Sequence, residues 1–186
     1  MSTTPNPKSE NSMGRAKRVL RTAPLWLALT GFLGIPASTS AADGCLDLLC
    51  LAAPSWSSIL QCVAPIQQLF DDLAHGRPFP SCSMSGAGNR GSHRWSDPPA
   101  FCPPQYTHSV DLESGTRYSC DYDGAVEINI DGVMWSRTWW RMSGGTSTDF
   151  SPAAKSQLST WDTRFDDDYA AWLAAQGPAN PPCEGC

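Results

Sequence analysis

Half of the eight cysteines fall in one short stretch, CLDLLCLAAPSWSSILQCVAPIQQLFDDLAHGRPFPSC, running from Cys45 to Cys82. No other feature restricts the fold so strongly. Cys45 and Cys50 bracket one apolar run, Cys62 lies inside a second, and Cys82 closes the stretch after Arg77-Pro78-Phe79-Pro80. Two helix-like runs between four cysteines predict a helical hairpin pinned by disulfides. The remaining cysteines are Cys102, Cys120, Cys183 and Cys186. An even count allows complete pairing, but eight cysteines can pair in on the order of a hundred ways. The expectation is local pairing among Cys45, Cys50, Cys62 and Cys82, then Cys102 with Cys120, with Cys183 and Cys186 as a terminal pair.

The leader supports an oxidised state. Lys8, Arg15, Lys17, Arg18 and Arg21 face one acid, Glu10, ahead of the apolar run Leu25–Ile35. Small residues at Ser40 and Ala42 complete a secretory signal over residues 1–42, with cleavage before Asp43. Translation starts at Met1 or Met13. The apolar run is shorter than the ~20 residues of an ordinary membrane span, and nothing beyond residue 43 reads as one. Removing the leader takes five of 13 basic residues and one of 18 acids, leaving 8 against 17 and a formal charge of −9. So acidic a domain is a poor partner for nucleic acid, whose phosphates must be neutralised by Lys and Arg. Residues 43–176 suffice for one domain, followed by a flexible Pro-rich tail over 177–186.

The expected architecture is α+β. Leu46, Leu48, Leu49 and Leu51 form a short helix that ends at Ala53-Pro54. Ser57 or Ser58 caps the next helix, in which Ile59, Cys62, Val63, Ile66, Leu69, Phe70 and Leu73 recur at spacings of three and four. Pro65 kinks that helix or sits in its first turn, and Gly76 ends it. Residues 77–104 read as irregular because six prolines interrupt them. Residues 116–142 read as a three-stranded antiparallel meander turning at Asp123-Gly124 and Asp131-Gly132. Val126, Ile128 and Ile130 share one face of the second strand. On the third, Trp135, Arg137, Trp139 and Arg141 oppose Met134, Ser136, Thr138 and Trp140. A single amphipathic helix, capped by Ser151 with Pro152 at its first position, carries an apolar stripe from Ala154 to Leu173.

The residues offer no catalytic constellation. His75, His93 and His108 lack metal-binding spacing, and Asp71-Asp72 and Asp166-Asp167-Asp168 are neighbours that do not face one another on a helix. Cys183-Glu184-Gly185-Cys186 has redox spacing but no helix after it to lower a thiol pKa. No catalytic, cofactor-binding or metal-binding residue is therefore assigned. Trp135, Arg137, Trp139 and Arg141 are the candidate interaction surface.

The Cys45-x4-Cys50-Leu51 element, the helix containing Cys62, and Arg77-Pro78-Phe79-Pro80-Ser81-Cys82 together resemble the opening of the TrbM/KikA family of conjugal transfer proteins. The likeness covers about residues 44–85. It implies a Gram-negative periplasmic protein that supports plasmid conjugation through a type IV secretion system. Such a protein acts by binding protein components of the mating-pair apparatus, without a cofactor. The alternatives are an exported enzyme acting on peptidoglycan or disulfides, and a secreted effector.

Overall fold

The computed structural model describes residues 43–177. The leader, the tail beyond Gly177, and the expected Cys183–Cys186 pair lie outside the described residues. The structure is α+β, with helices packed on an antiparallel sheet.

Helix α1 spans Gly44–Ala52. Asp43 caps it, accepting hydrogen bonds from the amides of Cys45 (3.0 Å) and Leu46 (3.4 Å), which satisfies donors that a helix start leaves open. Helix α2 spans Leu60–Ala74 with Pro65 in its interior, past its first turn. Neither Ser57 nor Ser58 caps it. Both sit in a 3-10 turn over Trp56–Ser58, and Ile59 precedes α2 with no side-chain cap. Gly76 ends the helix at φ 77°.

Among the described residues three disulfides join Cys45 to Cys82, Cys50 to Cys62 and Cys102 to Cys120. The first clamps the start of α1 to the chain leaving α2. The second links the end of α1 to the first turn of α2. Gly44 makes the first clamp possible. A Cβ there would lie 2.5 Å from the Pro80 carbonyl oxygen and 2.7 Å from that of Ser81. Both are backbone atoms held beside Cys82, so they cannot easily withdraw. Gly44→Ala is expected to cost about 1–3 kcal/mol of stability, read as a lowered unfolding midpoint at unchanged slope.

The main sheet contains β1 (Arg90–Trp95), β4 (Gly124–Ile130), β5 (Val133–Trp140) and β6 (Thr146–Phe150), in the order β1-β4-β5-β6. Strands β2 (Thr107–Leu112) and β3 (Gly115–Cys120) form a separate ribbon. Two sequence expectations are corrected here. Residues 77–104 are not irregular throughout, because β1 lies within them. Arg90–Trp95 has no apolar alternation; it is a strand because β4 offers a backbone ladder from Arg90↔Asn129 to Trp95↔Gly124. The expected meander is also wrong in its first strand. The chain around Tyr118 pairs with β2, so Asp123-Gly124 is no hairpin turn. Asp123 instead donates its amide to the Trp140 carbonyl (3.0 Å) and accepts from the amide of Ser96 (2.8 Å). Gly124 opens β4 because a Cβ there would sit 2.7 Å from Nε2 of His93 and 3.0 Å from Nε1 of Trp140. The turn at Asp131-Gly132 does join β4 to β5, with φ of 52° and 81°, the positive values that a tight hairpin requires.

Both sheet faces are covered. Val126, Ile128 and Trp140 pack with Leu48, Leu51, Ile66, Leu69 and Leu73 beneath the helices. Ala125 and Trp139 pack with Tyr106 and Tyr122, flanked by Phe101 and Phe165, on the opposite face. Alternation along a strand sends neighbouring side chains to opposite faces, so Trp139 and Trp140 enter different cores.

The expected single C-terminal helix is two pieces, α3 (Pro152–Lys155) and α4 (Arg164–Ala175). Ser151 does cap the first, accepting from the Ala154 amide at 3.1 Å. The intervening segment leaves helical geometry to bond elsewhere. The Asp162 amide donates to the Pro54 carbonyl (2.9 Å), and Asp162 Oδ1 then accepts from the Arg164 amide (3.1 Å) at the start of α4. Among the described residues no helix is long and apolar enough to cross a membrane.

Candidate functional site

A cleft of about 660 Å³ lies between α2 and the β5–β6 turn. Its floor is aromatic. Phe70, half-buried on α2, stacks on Trp140 with ring centroids 5.6 Å apart and planes 11° apart, and Trp56 meets Phe70 edge-on at 6.1 Å. Such pairs add about 0.5–1.5 kcal/mol beyond the area they bury. Trp140 reaches it because it is the last residue of β5, where the sheet ends against α2.

One wall is the β5–β6 turn. The Arg141 amide donates to Gly145 and the Gly144 amide donates back to Arg141. Gly144 and Gly145 hold φ of 90° and 97°, a region that side chains disfavour. The turn presents Arg141 outward. Arg164, at the start of α4, donates from Nη1 to the Thr146 carbonyl at 2.8 Å and so stands beside it. The opposite wall carries Asp71 and His75, whose Nδ1 lies 2.7 Å from the Asp71 carbonyl and 3.7 Å from its Oδ1.

A second depression of about 630 Å³ adjoins the first. Both are lined by Arg141, Gly145, Thr146 and Arg164, which form a saddle between them. In the second, the Arg141 guanidinium lies over the Tyr122 ring at 4.6 Å. Tyr106 donates its hydroxyl to Asp168 Oδ2 at 2.7 Å and lies 2.8 Å from the Ser147 hydroxyl. Burial pushes the Tyr106 phenol well above its ordinary pKa, reinforced by Asp168. It is a fixed hydrogen-bonding post rather than a titrating group.

The four residues named from sequence as a surface are dispersed. Trp135 donates its indole to the Ala52 carbonyl at 2.9 Å, at the end of α1. Arg137 pairs with Glu127 at 2.7 Å. Burial alone would raise the Glu127 pKa, but hydrogen bonds from Arg137 and Asn129 outweigh it and hold the carboxyl below its ordinary range. Trp139 is in the second core. Arg141 alone of the four is exposed, on the saddle. Arginines on this side of the sheet lie over other rings, Arg94 over Phe101 (4.0 Å) and Arg141 over Tyr122.

The histidines are separate from one another. His93 is wedged against Trp95 and Trp140, and burial lowers its pKa. His108 pairs with Asp121 at 2.9 Å on the ribbon. Among the described residues no three His, Cys, Asp or Glu side chains gather as a metal site. Sequence reading missed Phe70 and Arg164 as cleft residues. The available signal was Gly144-Gly145 directly after a Trp-rich strand, which marks an exposed turn at the end of an aromatic face.

Comparison with known proteins identifies no relative: no family model, curated protein or solved structure matches the chain.

Proposed function

We propose that this chain is a periplasmic accessory protein of plasmid conjugation, working by protein–protein interaction within the mating-pair apparatus. The observation that carries the reading is the cystine frame. Cys45–Cys82 and Cys50–Cys62 close around the two helices that bear the TrbM/KikA-like elements, so those elements form one structural unit. Three disulfides in a small acidic domain fit an oxidising compartment reached by export. The cleft, with an aromatic floor and arginines on its saddle, offers a surface for binding. Deleting the gene from a conjugative plasmid is expected to lower transfer frequency; unchanged transfer contradicts the reading.

A further inference from the structure

We infer that the two joined depressions bind a neutral glycan strand of N-acetylated amino sugars, lying across the Arg141–Arg164 saddle between Trp56 and Trp172. This goes beyond the interaction reading above and does not depend on it.

The lining disfavours a ligand of one charge. The first depression sets Asp71 and Asp162 against Arg141 and Arg164, and the second sets Asp121 and Asp168 against the same two arginines. A strand of either charge lying across the saddle therefore meets its own sign along the way. A hydroxyl group both donates and accepts, so a row of hydroxyls is satisfied by carboxylate and guanidinium alike. Aromatic rings flank this polar strip. Trp172 lines the second depression and stacks on Tyr169 behind it, with centroids 5.8 Å apart and planes 19° apart. Trp56 lines the first beside Phe70. A sugar ring presents C–H groups on its face and hydroxyls at its edge. It can lie flat on an aromatic ring, whose face is negative, while its edge reaches the acids and arginines. Gln105 specifies the substituent. It lines the second depression, and neither polar atom of its buried carboxamide has a hydrogen-bond partner, a costly state that a ligand can relieve. An acetamido group carries one donor and one acceptor in a plane, the complement of a carboxamide. Volumes of about 660 and 630 Å³ fall within the ~300–1,000 Å³ of small-ligand sites, and two such spaces joined over one saddle match successive units of a strand.

The test uses the chain Asp43–Cys186 with its disulfides intact and labelled with nitrogen-15. The probe is chitotetraose. Cellotetraose lacks the acetamido groups, tetraglucosamine replaces them with positive charges, and tetragalacturonate carries negative charges. Chitotetraose is expected to shift the indole N–H signals of Trp56 and Trp172 and leave that of Trp135 in place. Cellotetraose should bind about tenfold more weakly, the loss expected for the hydrogen bonds of one amide, and neither charged tetramer should bind more tightly than cellotetraose. Gln105→Leu should bring chitotetraose down to the level of cellotetraose and leave cellotetraose unchanged. Trp172→Ala should abolish binding, whereas Trp172→Phe, which keeps a ring at that place, should retain it. Tighter binding of either charged tetramer than of chitotetraose overturns the inference. So does equal binding of chitotetraose and cellotetraose, or a titration that leaves Trp56 and Trp172 unmoved. If chitotetraose fails while gene deletion still lowers transfer, the glycan site falls and the interaction reading stands.

Discussion

Asp47→Asn is expected to remove about 4 kcal/mol of pH-dependent destabilisation from the protein. Asp47 lies on the buried stripe of α1 with Gly44, Leu48 and Leu51, and is fully excluded from solvent. Neither of its carboxyl oxygens has a hydrogen-bond partner. Burial pushes its pKa from 3.8 up to about 7, and the charges of Asp43 and Asp72 add to the shift. The groups facing it offer no relief. Asp43 caps α1, and Asp72 on α2 is held by Gln68 and Arg77. In the unfolded chain Asp47 ionises near its ordinary pKa, so ionisation favours unfolding at every pH between the two values. Stability from this group is greatest below pH 3.8, falls as pH rises towards about 7, and is level above both. Glu127, held low by its hydrogen bonds, has the opposite dependence, so the difference between variant and parent isolates Asp47. Guanidinium unfolding at both ends of the window should show Asp47→Asn gaining on the parent as pH rises. A difference that does not vary with pH contradicts the assignment.

Breaking the cystine frame should have an effect of similar size. Cys45–Cys82 closes a separation of 37 residues. The lost loop entropy is worth about 4 kcal/mol for a loop of that length. Cys50–Cys62 closes 12 and Cys102–Cys120 closes 18, worth about 3 kcal/mol each. Replacing Cys50 and Cys62 by Ala should cost more than entropy alone, because both sulfurs lie in the first core, only 1% and 5% exposed, and their removal leaves a cavity. Together the three bonds supply about 10 kcal/mol, comparable with the whole stability of a typical domain, about 5–15 kcal/mol. Reduction without denaturant should therefore unfold the chain, seen as loss of the near-ultraviolet signal of its packed tryptophans. A reduced protein that keeps this signal contradicts the role given to the disulfides.

What the sequence revealed depended on whether local pattern or distant pairing decides each element. Helix α2 was legible because Ile66, Leu69 and Leu73 repeat at helical spacing and all three are buried. The β4–β5 hairpin was legible because Asp131-Gly132 specifies its own turn. Strand β1 was not, since Arg90–Trp95 carries no period and owes its form to β4, far away in the chain. Asp123-Gly124 misled for a related reason. A glycine needed for close approach to His93 and Trp140 looks in sequence like one needed for a turn. The long C-terminal stripe was misread because the contact that interrupts it, Asp162 to Pro54, joins residues more than a hundred positions apart. The cleft shows the same limit: Phe70, Trp140 and Arg164 come from three separate regions of the chain and line one cleft only in the folded protein.

The most direct measurement of the central claim is transfer frequency from a donor carrying the plasmid with this gene deleted and complemented in trans. The full chain should restore transfer. On the proposed reading a chain lacking residues 1–42 should not, nor should one with Cys45→Ala and Cys82→Ala, because neither would deliver the folded frame to the proposed periplasmic site of action. Undiminished transfer in the deletion, or full rescue by the leaderless chain, would contradict the account.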